Sequence, residues 1–169
     1  KAILSPDKCV GCTICIGSCK EHAITHPDFP VFDFEPMPKQ DMTVFSCSFF
    51  PEAVFPSELN VTQYKVPCLG SVMVKDVQKI MDSGNTKVAM LGCEDCYYRY
   101  GKNWAVQRLL RKRPPAYSRK HDTSGIRLFT LNQYSPDKLL EFSKEIPDEN
   151  VKDAAIMDYQ KARPVLLTL

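Results

Sequence analysis

Along residues 42–146 the apolar positions change period in a regular order. MTVFSCSF (42–49) is rich in β-branched and aromatic residues and predicts a strand, as does TQYKVPCLG (62–70), which ends at a glycine. VMVKDVQKIMDSG (72–84) spaces Val74, Val77, Ile80 and Met81 as one face of a helix, with Gly84 as the stop. TKVAMLGC (86–93) is a continuous apolar run, the mark of a parallel strand covered on both faces. GKNWAVQRLLRK (101–112) sets Trp104, Leu109 and Leu110 among helix formers, and GIRLFTLN (125–132) is a further strand. SPDKLLEFSKEI (135–146) opens with Ser135 as a cap and Pro136 in the first turn, a strong helix start. Between the first two strands, FPEAVFPSELNV carries two prolines and can hold at most a short helix. The alternation predicts an α/β fold, an open and mostly parallel sheet with flanking helices.

The first 36 residues follow a different pattern. KAIL reads as a short strand, a cysteine-rich loop follows, and a brief helix is expected at Cys19–His22 before AITHPDFPVFDF. FEPMPKQDM (34–42) has the proline spacing of a linker. The expected organisation is a small α+β segment over 1–36, the α/β domain over 37–147 and a tail over 148–169. The tail sequence NVKDAAIMDYQKARPVLLTL reads as a helix and an extended apolar end, suited to folding back on the domain or to contact with a partner.

Charge and length narrow the function classes. The 169-residue chain has a net charge of +2, which provides no field for nucleic acid. Its basic residues gather only in RLLRKRPPAYSRK (108–120), which reads as a solvated helix end and loop. No apolar run approaches the roughly 18–20 residues of a membrane span, and no secretory signal opens the sequence. A cytoplasmic location is expected, with attachment to a membrane complex left open. Lys1 stands eight positions before the first cysteine, so the chain reads as processed or as a piece of something longer.

The eight cysteines carry the chemistry. DKCVGCTICIGSCKEHAI (7–24) places Cys9, Cys12, Cys15 and Cys19 at gaps of two, two and three residues. Such gaps pair badly as disulfides but converge on a metal centre. Zinc ligands usually come as separated CxxC pairs, whereas a contiguous run lets three thiolates and several backbone N–H groups surround one [4Fe–4S] cluster. Gly11 suits the tight turn of that loop. The run resembles half of a two-cluster bacterial ferredoxin, with Lys20 where that family usually has proline. The resemblance implies a [4Fe–4S] cluster on Cys9, Cys12 and Cys15, with Cys19 reaching a neighbouring cluster whose other ligands lie upstream or in another chain, or else bending back as the local fourth ligand or staying free.

Cys47, Cys68 and Cys93 fall at or near the ends of the first three predicted strands, and Cys96 completes a CxxC with Cys93. In an open parallel sheet these ends line one crevice, where such folds hold ligands. Four convergent thiolates suit a [2Fe–2S] cluster and equally a four-cysteine zinc site. A redox-active CxxC is the third possibility, opposed by Glu94 and Asp95, which would raise the thiol pKa. TVFSCSFF, YKVPCLGSV, VAMLGCEDCYYRYGKNWAVQRLLR and IRLFTLNQYSPDKLLEFSKEI together resemble the delta-subunit family of methyl-viologen-reducing hydrogenase over about residues 42–146. Two departures stand out: Phe50 replaces a usual second cysteine, and the last pair, Cys93 and Cys96, is closer than usual.

That resemblance implies one [2Fe–2S] cluster and electron transfer into heterodisulfide-reductase-type flavin complexes. In some relatives the domain follows a ferredoxin unit and a flavoprotein, so FAD is expected in a partner or an upstream region. The implied partners are a flavin-containing reductase subunit or domain and a hydrogenase, formate dehydrogenase or quinone-linked subunit. The chain itself has no GxGxxG, no Walker loop and no Ser/His/Asp grouping. It is therefore expected to be an electron-transfer subunit without a substrate site, the competing reading being a scaffold with zinc at the second site. Tyr97, Tyr98, Tyr100 and Trp104 are expected to shield that site or simply to pack. Arg99 and Lys102 would offset its negative charge or face solvent, Gly101 and Asn103 shape the turn, and His22, His26 and His121 are not expected to be ligands.

Overall fold

The computed structural model describes residues 5–21, 23–26, 40–85, 87–94, 96, 98 and 100–146. Strands β1 (Met42–Cys47), β2 (Val61–Val66), β3 (Val88–Gly92) and β4 (Ile126–Thr130) form one parallel sheet in the order β2-β1-β3-β4. The cysteine segment contributes helix α1 (Ile14–Ser18). Helices α2 (Val74–Asp82), α3 (Gly101–Leu109) and α4 (Pro136–Lys144) follow β2, β3 and β4 respectively. The expected α/β class and parallel sheet are those observed.

Burial follows position in the sheet. β1 and β3 are interior strands and are buried at every position, which explains their unbroken apolar runs. Edge strand β2 is mostly half-exposed, and its Gln63 side chain donates to buried Ser46 Oγ at 2.8 Å. α2 covers the core with Val74, Val77 and Ile80, and Gly84 ends the segment with a left-handed φ of 97°. Ser135 Oγ accepts from the Lys138 N–H at 3.2 Å, the expected cap of α4. No helix appears between β1 and β2.

Two expectations change. The helix of the cysteine segment is α1, one turn earlier than Cys19–His22, because Ile14 and Ile16 are buried and draw that stretch onto the domain. α3 turns Ala105, Val106, Arg108 and Leu109 inward, leaving Trp104 and Leu110 half-buried. Arg108 is thus no solvated helix end; it is among the largest fully buried side chains. The KAIL strand, nearly all of the 34–42 linker and the 148–169 tail lie outside the described residues. Among the described residues no helix is long and apolar enough to cross a membrane.

Candidate metal centre

Three neighbouring strands deliver cysteines to the same sheet edge. Cys47 is the last residue of β1, in register with Val66 at the end of β2. Pro67 cannot continue the ladder, so the chain leaves β2 through Cys68 into a 3-10 turn at Leu69–Ser71. Cys93 follows β3, and Cys96 lies between it and α3. Because β1 lies between β2 and β3, these ends are side by side, about 4.8 Å apart per strand.

The sulfurs meet in two pairs that cross the CxxC. The Cys68 thiol hydrogen-bonds to Cys96, and the Cys93 side chain hydrogen-bonds to Cys47. Cys47 also donates to the Pro67 carbonyl at 3.7 Å, and it interacts electrostatically with both Cys68 and Cys96. Cys47 and Cys68 are buried; Cys93 and Cys96 are half-buried. A redox-active CxxC would pair Cys93 with Cys96, which is not the pairing seen.

The two members of one pair are driven apart in acidity. The hydrogen bond from Cys68 holds the Cys96 thiol down at about 5, helped by the backbone N–H groups of Lys102, Gly101 and Tyr98 against the opposing effect of burial. The same bond, then burial, pushes Cys68 up, and burial raises Cys47. The expected rise at the CxxC from its acidic neighbours is therefore overturned at Cys96. Glu94 is exposed and screened, while the N-terminus of α3 meets the sulfur directly.

Gly101 makes that approach possible. A Cβ there would overlap Cys68 Sγ and lie 3.6 Å from Cys96 Sγ, so α3 can begin beside the thiols only without a side chain. Around the site Phe49 stacks edge-on with Tyr98, ring centroids 5.5 Å apart, and Tyr100 leans on Trp104 at 6.1 Å. Phe49 and Tyr100 are nevertheless exposed, at 47% and 56%, so the aromatic wall is partly open to solvent. Lys102 Nζ donates to the Glu94 carbonyl. Tyr97, Arg99 and His22 lie outside the described residues.

The first cysteine group lies on a tightly curled loop. Gly11 and Thr13 have φ of 67° and 56°, and buried Thr13 donates through Oγ1 to the Cys12 carbonyl at 2.7 Å. A β-branched residue in the left-handed region costs about 1–2 kcal/mol, a strain that tends to persist at ligand-holding loops. Cys9 and Cys15 are exposed, Cys12 is half-buried, and Cys19 ends α1 with its sulfur accepting from the Ala23 N–H at 3.4 Å.

The two cysteine groups are joined through three glycines whose packing role local sequence does not announce. A Cβ on Gly17 would overlap the Gly70 carbonyl, and one on Gly70 would lie 3.0 Å from both Ile14 Cγ1 and Gly101 Cα. Gly17, Gly70 and Gly101 thus bring α1, the turn after Cys68 and the start of α3 into backbone contact. Each of Gly17 and Gly70 has one small neighbour, Ser18 and Ser71, and one bulky one, Ile16 and Leu69, so local sequence gives little sign of this contact.

Among the described residues no group of three or more His, Cys, Asp or Glu side chains is placed to hold a metal ion. A zinc site would require four sulfurs about 2.3 Å from one point. The two-pair arrangement of Cys47 with Cys93 and Cys68 with Cys96, cradled by Gly101, offers the donor set of a two-iron centre with two thiolates at each iron, and the same four sulfurs are the donor set of a four-cysteine zinc site. A cleft of about 330 Å³, lined in part by Tyr117, His121 and Gly125, lies at the opposite sheet edge and gathers no comparable set of groups.

No curated protein matches the chain. The sequence profile of the FlpD family, methyl-viologen-reducing hydrogenase delta subunit, matches residues 52–149, more than half of the chain. The matched span runs from before β2 to beyond α4 and includes Cys68, Cys93 and Cys96, while β1 and Cys47 precede it. With a parallel α/β sheet and thiols gathered at its C-terminal edge, this chain belongs to the methyl-viologen-reducing hydrogenase delta-subunit family.

Proposed function

We propose that this chain is an electron-relay module of an oxidoreductase complex. Cys47, Cys68, Cys93 and Cys96 would hold a [2Fe–2S] cluster, and Cys9, Cys12 and Cys15 a [4Fe–4S] cluster. Cys19 would serve that cluster or a neighbouring one. When bound, such centres accept and release single electrons without making or breaking a covalent bond to substrate. The protein's part is to supply thiolates, bury two of them, and hold both cysteine groups in contact through Gly17, Gly70 and Gly101. The donor would be a hydrogenase, formate dehydrogenase or quinone-linked subunit, and the acceptor a flavin in a reductase subunit. The unit over 1–36 would act as a ferredoxin-like appendage to the 37–147 domain.

The observation that carries this reading is the crossed thiol pairing at the strand ends, in a member of a hydrogenase-subunit family. Stepwise anaerobic reduction followed by addition of oxidised flavin tests it. The visible absorbance of the oxidised chain should bleach, and flavin should restore it while itself becoming reduced. An iron-containing chain whose spectrum does not cycle in this way would contradict the relay.

A further inference from the structure

α3 carries a full positive charge into the interior between the two cysteine groups. Arg108 is 1% exposed. Its Nη1 donates to the carbonyls of Gly70 at 2.8 Å and Val72 at 3.2 Å, and its Nη2 donates to Ser18 Oγ at 2.9 Å. Ser18 Oγ in turn donates to the Ile14 carbonyl at 2.8 Å. Gly70 and Val72 belong to the stretch just after Cys68, whereas Ser18 lies on α1 beside Cys19. One guanidinium therefore ties the two groups together.

All three acceptors are neutral, so none of them cancels the charge, and Nε is buried without a partner among the described residues. Burying a cation this way is costly unless something anionic comes close. Burial works against the charged form, and so does Arg113, while Tyr117 and then Cys68 favour it. Thiolate-held iron–sulfur centres are anionic and gain a further negative charge on reduction. A guanidinium stays protonated throughout, and in the interior its field is weakly screened. Lys102 is nearer Cys96 in sequence, but its ammonium is bonded to the Glu94 carbonyl at an exposed position.

We propose that Arg108 is the fixed counter-charge of the Cys47/Cys68/Cys93/Cys96 centre and the pin that holds α1 against the turn after Cys68. Arg108 acts as a positioning residue, and the assignment rests on the iron–sulfur reading above. Its charge stabilises the reduced centre, so it raises the reduction potential. Its three-way fork fixes the separation of the two cysteine groups.

Redox titration followed by EPR, paired with amide hydrogen exchange on the metal-free chain, separates charge from pin. Arg108→Gln should lower the potential of the second centre and speed exchange at Ile16–Ser18 about tenfold. Arg108→Lys should keep the potential near that of the parent but still speed exchange, because it retains the charge and loses the fork. Ser18→Ala should speed exchange alone. A parent-like potential in Arg108→Gln, or unchanged exchange in that variant, would overturn the proposal. Should Arg108→Gln not fold, a large potential shift in Arg108→Lys would overturn it equally. A parent chain that contains no iron would bring down the relay reading itself, which sets that failure apart from a negative result for Arg108.

Discussion

A methyl group on Gly101 would occupy the place of a sulfur. Gly101→Ala should therefore remove the metal of the second site and also destabilise the metal-free chain by about 1–3 kcal/mol, because the new methyl group must displace the buried Cys68 sulfur. Iron content measured beside a thermal melt checks both halves of this prediction. Asp76 illustrates a different residue-scale effect. Burial raises its carboxyl from 3.8 to about 6 against the lowering influence of Lys75 and Lys79. The fold thus prefers the protonated acid: its contribution is complete below pH 3.8 and is lost as pH rises through about 6. Asp76→Asn should flatten that window and stabilise the metal-free chain at neutral pH by about 1 kcal/mol after allowance for solvent screening, as read from urea midpoints at pH 4 and 7. The cysteines stood out one by one as candidates, because their residue type and spacing carry the chemistry. Arg108 did not, since a basic residue within RLLRKR gives no sign of which helix face meets the core.

At the scale of elements, periodicity located β1 to β4 and α2 to α4 because each is long enough to show its period against the sheet. α4 also announced itself through Ser135 and Pro136. Ser135→Ala should cost about 1 kcal/mol by leaving the Lys138 N–H without its cap, a loss that calorimetric unfolding of the metal-free chain would register. α1 was misplaced by a turn for a physical reason. Five residues are too few to hold a helix by propensity, so its position is set by burial of Ile14 and Ile16 and by the fit of Gly17 against Gly70. Local sequence cannot report a contact with a turn more than fifty residues away. For the same reason the pairing within the four converging cysteines was invisible: local spacing does not show that Cys93 meets Cys47 and Cys96 meets Cys68, each a sulfur from another strand.

Across the whole molecule, the strand order β2-β1-β3-β4 gathers the cysteine-bearing ends, and the glycine contacts bring the N-terminal cysteine loop up to them. The parallel sheet could be read from the sequence, and with it the convergence of the strand ends; the docking of α1 could not. The relay turns on one claim, that Cys47, Cys68, Cys93 and Cys96 hold two irons between them. The most direct measurement is the metal content and EPR spectrum of an anaerobically prepared chain in which Cys9, Cys12 and Cys15 are replaced by serine. About two irons per chain, negligible zinc and a [2Fe–2S] signal on reduction are predicted. One zinc per chain with no iron, or no bound metal at all, would contradict the claim.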